Sequence, residues 1–179
     1  MDWNAIVTVT PGPHHERDAL GALARFGRFH RTAFKGVCAG RVEDPVAFLE
    51  AIRAAREAGE PWAGEIGRVI PVERTFAFTP ESFADELKAA VAPFAERLAS
   101  GTFCVRVERR GMAGALDTPR IEREVADHIA ALAEARGVLL RTALEDPDFL
   151  IAAETLGGEC GVMLIPRALR SRYPFLQLR

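Results

Sequence analysis

The chain has 179 residues, enough for one large domain or two small ones, and its 49% hydrophobic content is sufficient for packed cores. Its net charge of −2 argues against a general binder of polyanions, because non-specific affinity for nucleic acid grows with the number of phosphates that are neutralised. The three cysteines, Cys38, Cys104 and Cys160, are far apart and form no CxxC pair. They therefore predict neither a zinc site nor a disulfide framework, and they fit a reducing cytoplasm.

No segment of the sequence predicts export or membrane insertion. The first residues carry no basic region, and no apolar run approaches the roughly 18 residues that a membrane span needs. We expect a soluble, cytoplasmic protein without a bound metal or cofactor.

The first part of the chain, residues 1–78, predicts the element order βαββαβ. The predicted elements are a strand at 5–10, a helix that ends at Gly27, a hairpin of 28–34 and 37–42, a helix from Asp44 to Gly59 and a strand at 69–78. Asp44 followed by Pro45 is typical of a helix N-cap. This order is that of the ferredoxin-like split βαβ fold, so we expect an α+β protein whose first domain is ferredoxin-like.

The second part, residues 79–179, predicts the order ααβαββ. The predicted elements are a helix that begins at Thr79-Pro80, a strand at 102–110, a helix from Thr118 to Gly137, and strands at 149–155 and 161–165. Pro93 should divide the first helix into two, because proline removes a helical hydrogen bond. The glycine-rich turn between the last two strands predicts a hairpin. We place the domain boundary near Thr79.

The strand at 102–110 is the most specific segment of the chain. Apolar residues alternate with polar ones, so Phe103, Val105 and Val107 should face a core, and the strand runs directly into Arg109 and Arg110. Such a strand can present charge to phosphate. It can also be a solvated edge, or its arginines can pair with acidic residues of the sheet, for which Glu108, Glu154 and Glu159 are available.

The C-terminal segment after Ile165 is basic and has no acidic residue. Its cations are Arg167, Arg170, Arg172 and Arg179. Tyr173 and Phe175 could stack on an unpaired base, since any aromatic face serves, but packing onto the sheet is the favoured interpretation.

Catalytic signatures are incomplete throughout the sequence. His14-His15-Glu16 contains the HxE half of a zinc deaminase motif, but no PCxxC follows. The turn at 157–161 lacks the GK[ST] ending of a phosphate-binding loop, and no serine stands in a GxSxG elbow. A turn entering the strand at 149 accounts for Asp146-Pro147-Asp148. We therefore expect a non-catalytic protein.

Residues 79–165 resemble a THUMP domain, the RNA-binding module of several tRNA-modifying enzymes. Thr102-Phe103, Val105-Arg106 and Arg109-Arg110 resemble the "tFxVRxxRR" strand of that family, Ile121-Glu122 sits in the following helix, and Asp146-Pro147-Asp148 resembles its "nPD" turn. The first part of the chain resembles the domain commonly placed before THUMP, which implies an α/β THUMP domain after a ferredoxin-like one.

The resemblance implies an adapter that docks the acceptor end of a tRNA for a separate modifying enzyme, such as a cytidine acetyltransferase. Family members usually fuse these domains to a catalytic domain, whereas we expect a stand-alone THUMP protein here. The implied RNA contacts are Arg106, Arg109 and Arg110, extended by Arg167, Arg170 and Arg172, with Arg31 and Lys35 as weaker candidates. Because the net charge is negative, binding should be weak or should need the partner enzyme.

Two other functions stay open at this stage. A ferredoxin-like fold can bind a small ligand or an identical subunit and act as a regulator without RNA, in which case we expect an apolar pocket. An autonomous enzyme would need a cleft that gathers His15, His30 or His128 with carboxylates. The oligomeric state is open.

Overall fold

The computed structural model describes residues 2–176, which form two compact units. The first runs from the N terminus to Val72 and resumes at Arg170, and the second spans Glu73–Leu169. Within the described part of the chain, no helix combines the length and the apolar character that crossing a membrane requires.

The first unit has the predicted βαββαβ order with one added short helix. Its elements are β1 (Ala5–Val9), α1 (His15–Leu23), β2 (Gly27–Arg31), β3 (Val37–Val42), α2 (Pro45–Glu57), α3 (Pro61–Glu65) and β4 (Ile66–Pro71). The sheet order is β2-β3-β1-β4, and every neighbouring pair is antiparallel. The predicted hairpin is confirmed as β2 and β3.

Helix α2 begins where the sequence predicts. The Asp44 side chain accepts hydrogen bonds from the backbone N–H groups of Val46 (2.9 Å) and Ala47 (3.1 Å), and Pro45 occupies the first helical position. These bonds satisfy donors that a helix start leaves free, so the cap fixes the boundary.

The second unit is built on a mixed sheet. Its elements are β5 (Arg74–Ala77), α4 (Phe83–Val91), a 3-10 helix (Ala92–Arg97), β6 (Gly101–Glu108), α5 (Thr118–Glu134), β7 (Leu140–Thr142), β8 (Phe149–Leu156) and β9 (Glu159–Pro166), and α6 (Arg167–Arg172) follows. The sheet order is β5-β9-β8-β6-β7, in which β6 is parallel to β7 and β8 and the other pairs are antiparallel.

The core of the second unit lies between one face of this sheet and the helices. Phe103 and Val105 of β6 belong to it, as predicted, together with buried residues of α4 and α5 such as Phe83, Leu87 and Ile129. The predicted break at Pro93 is confirmed, because α4 ends at Val91 and continues as a 3-10 helix.

The strand predicted at 69–78 is two strands in different sheets. The Val72 N–H donates to the Asn4 carbonyl (2.8 Å), whereas the Glu73 N–H donates to the Val162 carbonyl (2.9 Å). The chain therefore changes sheet between Val72 and Glu73, and the units divide there and not near Thr79.

Other predictions also differ from the structure. Helix α1 ends at Leu23 and not at Gly27, which is the first residue of β2. The residues from 170 onward were expected in the second domain, but within the described chain they group with the first unit, where the Val69 N–H donates to the Phe175 carbonyl (3.1 Å). Helix α4 begins at Phe83, because the Thr79 N–H instead donates to the Ser82 hydroxyl (3.0 Å) in a preceding turn. Strand β7 and helix α6 were not predicted.

Candidate functional site

The C-terminal end of β6 is held by a carboxylate from α5. Strand β7 pairs only with residues 101–103 of β6, so Val107 has no strand beside it on that edge. Its N–H donates instead to Glu122 Oε1 (2.8 Å), and Arg106 lies 3.5 Å from Glu122 Oε2. Arg106 is therefore half-buried and paired, and Glu122 supplies the hydrogen bond that a neighbouring strand would have made.

Arg110 is part of a buried polar cluster. Its guanidinium hydrogen-bonds Glu154, which is fully buried, and lies 3.9 Å from Glu108. Its side chain is only 10% exposed. Its backbone N–H donates to Thr155 Oγ1 (2.9 Å), and its carbonyl accepts from the Gly157 N–H (2.9 Å). Arg110 thus has the acidic partners, Glu154 and Glu108, that the sequence offered as the alternative to phosphate.

Arg109, by contrast, is exposed. Its guanidinium donates to the Met112 carbonyl (2.9 Å), and no acidic side chain among residues 2–176 pairs with it. The loop that supplies this carbonyl turns at Gly111, whose φ of 90° is readily adopted only by glycine. Strand β6 therefore ends in one buried and one solvent-facing guanidinium.

A second polar cluster lies at the N-terminal end of β6. Asp148 Oδ2 accepts hydrogen bonds from the backbone N–H and the hydroxyl of Thr102, both at 2.8 Å. Arg167 donates to Asp148 Oδ1 (2.8 Å) and pairs with Asp146 Oδ2 (3.1 Å). A Cβ on Gly101 would lie 2.7 Å from Asp148 Oδ2. The Asp-Pro-Asp turn is thereby tied to the start of β6 and to the start of α6.

The predicted RNA-contact residues are not all brought together. Arg106, Arg109 and Arg110 lie at one end of β6, and Arg167 lies at the other, roughly 20 Å away at about 3.3 Å per residue. Arg170, half-buried, belongs to the first unit.

The remaining predicted contacts are also in the first unit. Arg172 pairs with Glu50 (3.0 Å) and Arg31 with Glu16 (2.7 Å). Lys35 is exposed in the turn before β3, and nothing within the described residues pairs with its ammonium.

Tyr173 and Phe175 pack, as predicted. Both are buried, with ring centroids 5.9 Å apart, and the Tyr173 hydroxyl donates to Glu50 Oε2 (2.9 Å). Hydrogen bonds from Arg53, from Tyr173 and from Arg172 lower the pKa of the Glu50 carboxyl to about 2. The aromatic pair is therefore structural, and Arg179 lies outside the described residues.

The sequence offered Glu154 as a partner for the arginines of β6 without indicating which one it pairs with, and it predicted no partner for Glu122. Glu154 was named only as an available acid, yet an acidic residue inside the apolar run of β8 is itself a signal of a buried ion pair. Glu122 was noted as part of the α5 motif, and its bond to the Val107 N–H gives that motif position a physical reason.

His15, one of the candidate catalytic histidines, contacts one backbone carbonyl and one carboxylate. His15 Nδ1 lies 3.1 Å from the Thr10 carbonyl and its Nε2 lies 3.9 Å from Glu65. In residues 2–176, no three His, Cys, Asp or Glu side chains are grouped to hold a metal. Burial raises the pKa of the Cys38 thiol to about 11 and also raises that of Cys160, which keeps both thiols protonated at neutral pH.

One open cavity of about 380 Å³ lies in the first unit. It is lined by Arg56, Gly59, Glu60, Pro61 and Gly64. Two of these five residues, Arg56 and Glu60, are charged, and the other three are two glycines and a proline.

Comparison with solved structures shows the fold. TrmN from Thermus thermophilus is 17% identical, with a TM-score of 0.57 over 93% of this chain and 47% of that one. PH1313 from Pyrococcus horikoshii is 15% identical, with a TM-score of 0.56 over 90% of this chain and 54% of that one. A 4-thiouridine synthetase solved with RNA and ATP is 14% identical, with a TM-score of 0.54 over 92% of this chain and 42% of that one. This chain thus spans about half the length of these proteins.

No curated protein matches the sequence. The family description "THUMP domain" matches residues 81–165, which include α4, β6, α5, the Asp-Pro-Asp turn and the hairpin of β8 and β9. The chain therefore contains a THUMP domain, which lies at residues 81–165 within the second unit.

Proposed function

We propose that this protein is an RNA-binding adapter that docks the acceptor end of a tRNA for a separate tRNA-modifying enzyme. The THUMP match at residues 81–165 carries the proposal, because β6 lies inside it and ends in the exposed Arg109. A cytidine acetyltransferase is the proposed partner enzyme.

Arg109 is the leading phosphate contact in this proposal. A guanidinium that faces solvent and has no acidic partner in the described structure can pair with phosphate without first breaking an ion pair. Its hydrogen bond to the Met112 carbonyl uses one of five donors and leaves the fork available.

The other predicted arginines rank lower as contacts. Arg106 pairs with Glu122 at 3.5 Å, and its side chain is still half-exposed. It could therefore turn toward a phosphate at a small cost in free energy. Arg110 and Arg167 are each held by two carboxylates, so we assign them to fixing the two ends of β6. Arg170, Arg172, Arg31 and Lys35 belong to the first unit, and we keep them as weaker proposed contacts.

The net charge of −2 bears on affinity. With few cations that lack an acidic partner in residues 2–176, the isolated protein should neutralise few phosphates, so its binding should be weak and its salt dependence shallow. The protein should bind tRNA more tightly together with the partner enzyme, because the enzyme would supply further contacts to the tRNA.

The experiment is a salt series of tRNA binding by fluorescence anisotropy, comparing the wild type with Arg109→Ala. If Arg109 contacts phosphate, its loss should lower the slope of log affinity against log salt by about 1. Arg123→Ala is the matched control, because Arg123 is exposed on α5 and also lacks an acidic partner in residues 2–176.

Each outcome bears on the proposal. If the Arg109 and Arg123 variants lose equal amounts of salt slope, the effect of Arg109 is one of general positive charge and not of a specific phosphate contact. Absence of tRNA binding at low salt, with and without the acetyltransferase, would reject the adapter function and favour a regulator without RNA.

A further inference from the structure

Strand β7 is an edge strand flanked by two exposed leucines. Leu139 is 69% exposed and Leu144 is 66% exposed, and among the described residues the only other large apolar side chain exposed to this degree is Val46 of α2. An open strand edge presents unpaired backbone groups that another strand can bind, and a strand added there would also cover apolar side chains beside it.

The backbone of β7 has an unpaired side. The Gly101 N–H donates to the Leu139 carbonyl (3.1 Å), and the Ala143 N–H donates to the Phe103 carbonyl (2.9 Å). Since backbone groups alternate along a strand, the N–H and C=O groups of Leu140 and Thr142 point away from β6. No described strand pairs with that side of β7.

Strand β7 itself carries one cation, Arg141, and no acidic residue. The nearest acidic residues along the chain are Glu134 and Glu145. Arg141 is exposed, and no acidic side chain in the described chain pairs with it. The register places Arg141 opposite Thr102 in this edge strand, so a residue of an added strand would be the cross-strand neighbour of Arg141.

These features discriminate between occupants. A second copy of β7 pairing about a twofold axis would bring two Arg141 side chains together, and like charges in neighbouring strands are destabilising. An extended segment with alternating apolar and acidic residues would satisfy the open backbone groups, cover the leucines and pair with Arg141.

We propose that the β7 edge binds an extended, acidic and apolar segment of a protein partner by adding a strand to the sheet. The proposal rests on the adapter function above for the identity of that partner, the modifying enzyme. Phe103, where β7 pairing ends, and Arg109 are six residues apart along β6, roughly 20 Å, so the two surfaces can be occupied together.

The test uses the full chain, labelled with ¹⁵N, and a synthetic nine-residue peptide of alternating valine and glutamate. Its matched probe has lysine in place of each glutamate. We expect amide shifts confined to residues 101–103 and 139–144, and slower hydrogen exchange of the Leu140 and Thr142 amides. Arg141→Glu should weaken binding of the glutamate peptide by on the order of tenfold and favour the lysine peptide.

Two further variants complete the design. Leu139→Ser/Leu144→Ser should weaken both peptides, and Arg123→Glu should change neither, since Arg123 is on α5. Amide spectra that match the wild type away from the edge show that a variant is folded. If the spectrum shows that the leucine variant is not folded, the proposal is judged from the Arg141→Glu variant alone.

Several results would overturn the proposal. The first is that millimolar peptide causes no amide shifts at the β7 edge, and the second is that the two peptides bind equally. The third is that the β7 amides shift with protein concentration when no peptide is present, and the fourth is that tRNA displaces the peptide. The third would indicate self-pairing and the fourth a nucleic-acid surface. Because tRNA binding is measured separately, failure of the peptide to bind is distinguishable from failure of the adapter function.

Discussion

Replacing Arg110 by alanine should destabilise the second unit far more than replacing its neighbour Arg109. Arg110 is 10% exposed and hydrogen-bonds Glu154, which has no exposed surface. Removing one partner of a buried ion pair leaves the other charge uncompensated, at a cost of about 3–5 kcal/mol. Arg109 is exposed and gives up a single hydrogen bond to a carbonyl, so its replacement should change stability little.

This difference is large relative to the total stability of a small domain, which is about 5–15 kcal/mol. Urea unfolding followed by far-ultraviolet circular dichroism would measure it, with amide signals of the second unit as the local probe. Tryptophan fluorescence is unsuitable, because Trp3 and Trp62 are both in the first unit.

A double variant, Arg110→Met/Glu154→Leu, is the matched control. It removes both charges together, so it should recover much of the lost stability. Equal urea midpoints for Arg110→Ala and Arg109→Ala would refute the reasoning. If the reasoning holds, a triple alanine variant of Arg106, Arg109 and Arg110 cannot test RNA binding, since part of its effect would be loss of folded protein.

Three further predictions concern stability. Gly101→Ala should cost about 1–3 kcal/mol in urea unfolding, because its Cβ would displace the Asp148 carboxylate, and an unchanged midpoint would contradict this. Glu122→Ala should accelerate hydrogen exchange of the Val107 amide, and unchanged exchange would show that another acceptor serves it. The pKa of Glu50 is lowered from 4.5 to about 2 in the folded state, so its stabilising contribution is present above pH 4.5 and lost as the pH falls toward 2. The difference in Tm between the wild type and Glu50→Gln should therefore shrink over that range, and a constant difference would argue against it.

The sequence predicted element order well where local chemistry sets it. Asp44 caps α2 with its own side chain, and Pro93 ends α4, and both signals are read within a few residues. The change of sheet between Val72 and Glu73 was missed, because the run at 69–78 is uniformly strand-like and the deciding acceptors belong to Asn4 and Val162.

The candidate site was predictable as a strand but not residue by residue. Arg109 and Arg110 are identical neighbours in sequence, and their environments differ because Glu154, 44 residues later, is brought to Arg110 by the pairing of β6 with β8. The short edge strand β7 was not predicted, because three residues are too few to show a period-two pattern in the sequence. Its pairing with β6 defines it instead.

The most direct test of the adapter account is the affinity of the purified protein for intact tRNA and for the same tRNA trimmed of its 3′ end, at low salt. The account predicts salt-sensitive binding to intact tRNA that is lost or strongly weakened on trimming. Equal affinity for the two tRNAs would contradict docking at the acceptor end, and binding to neither would contradict the function proposed for the isolated protein.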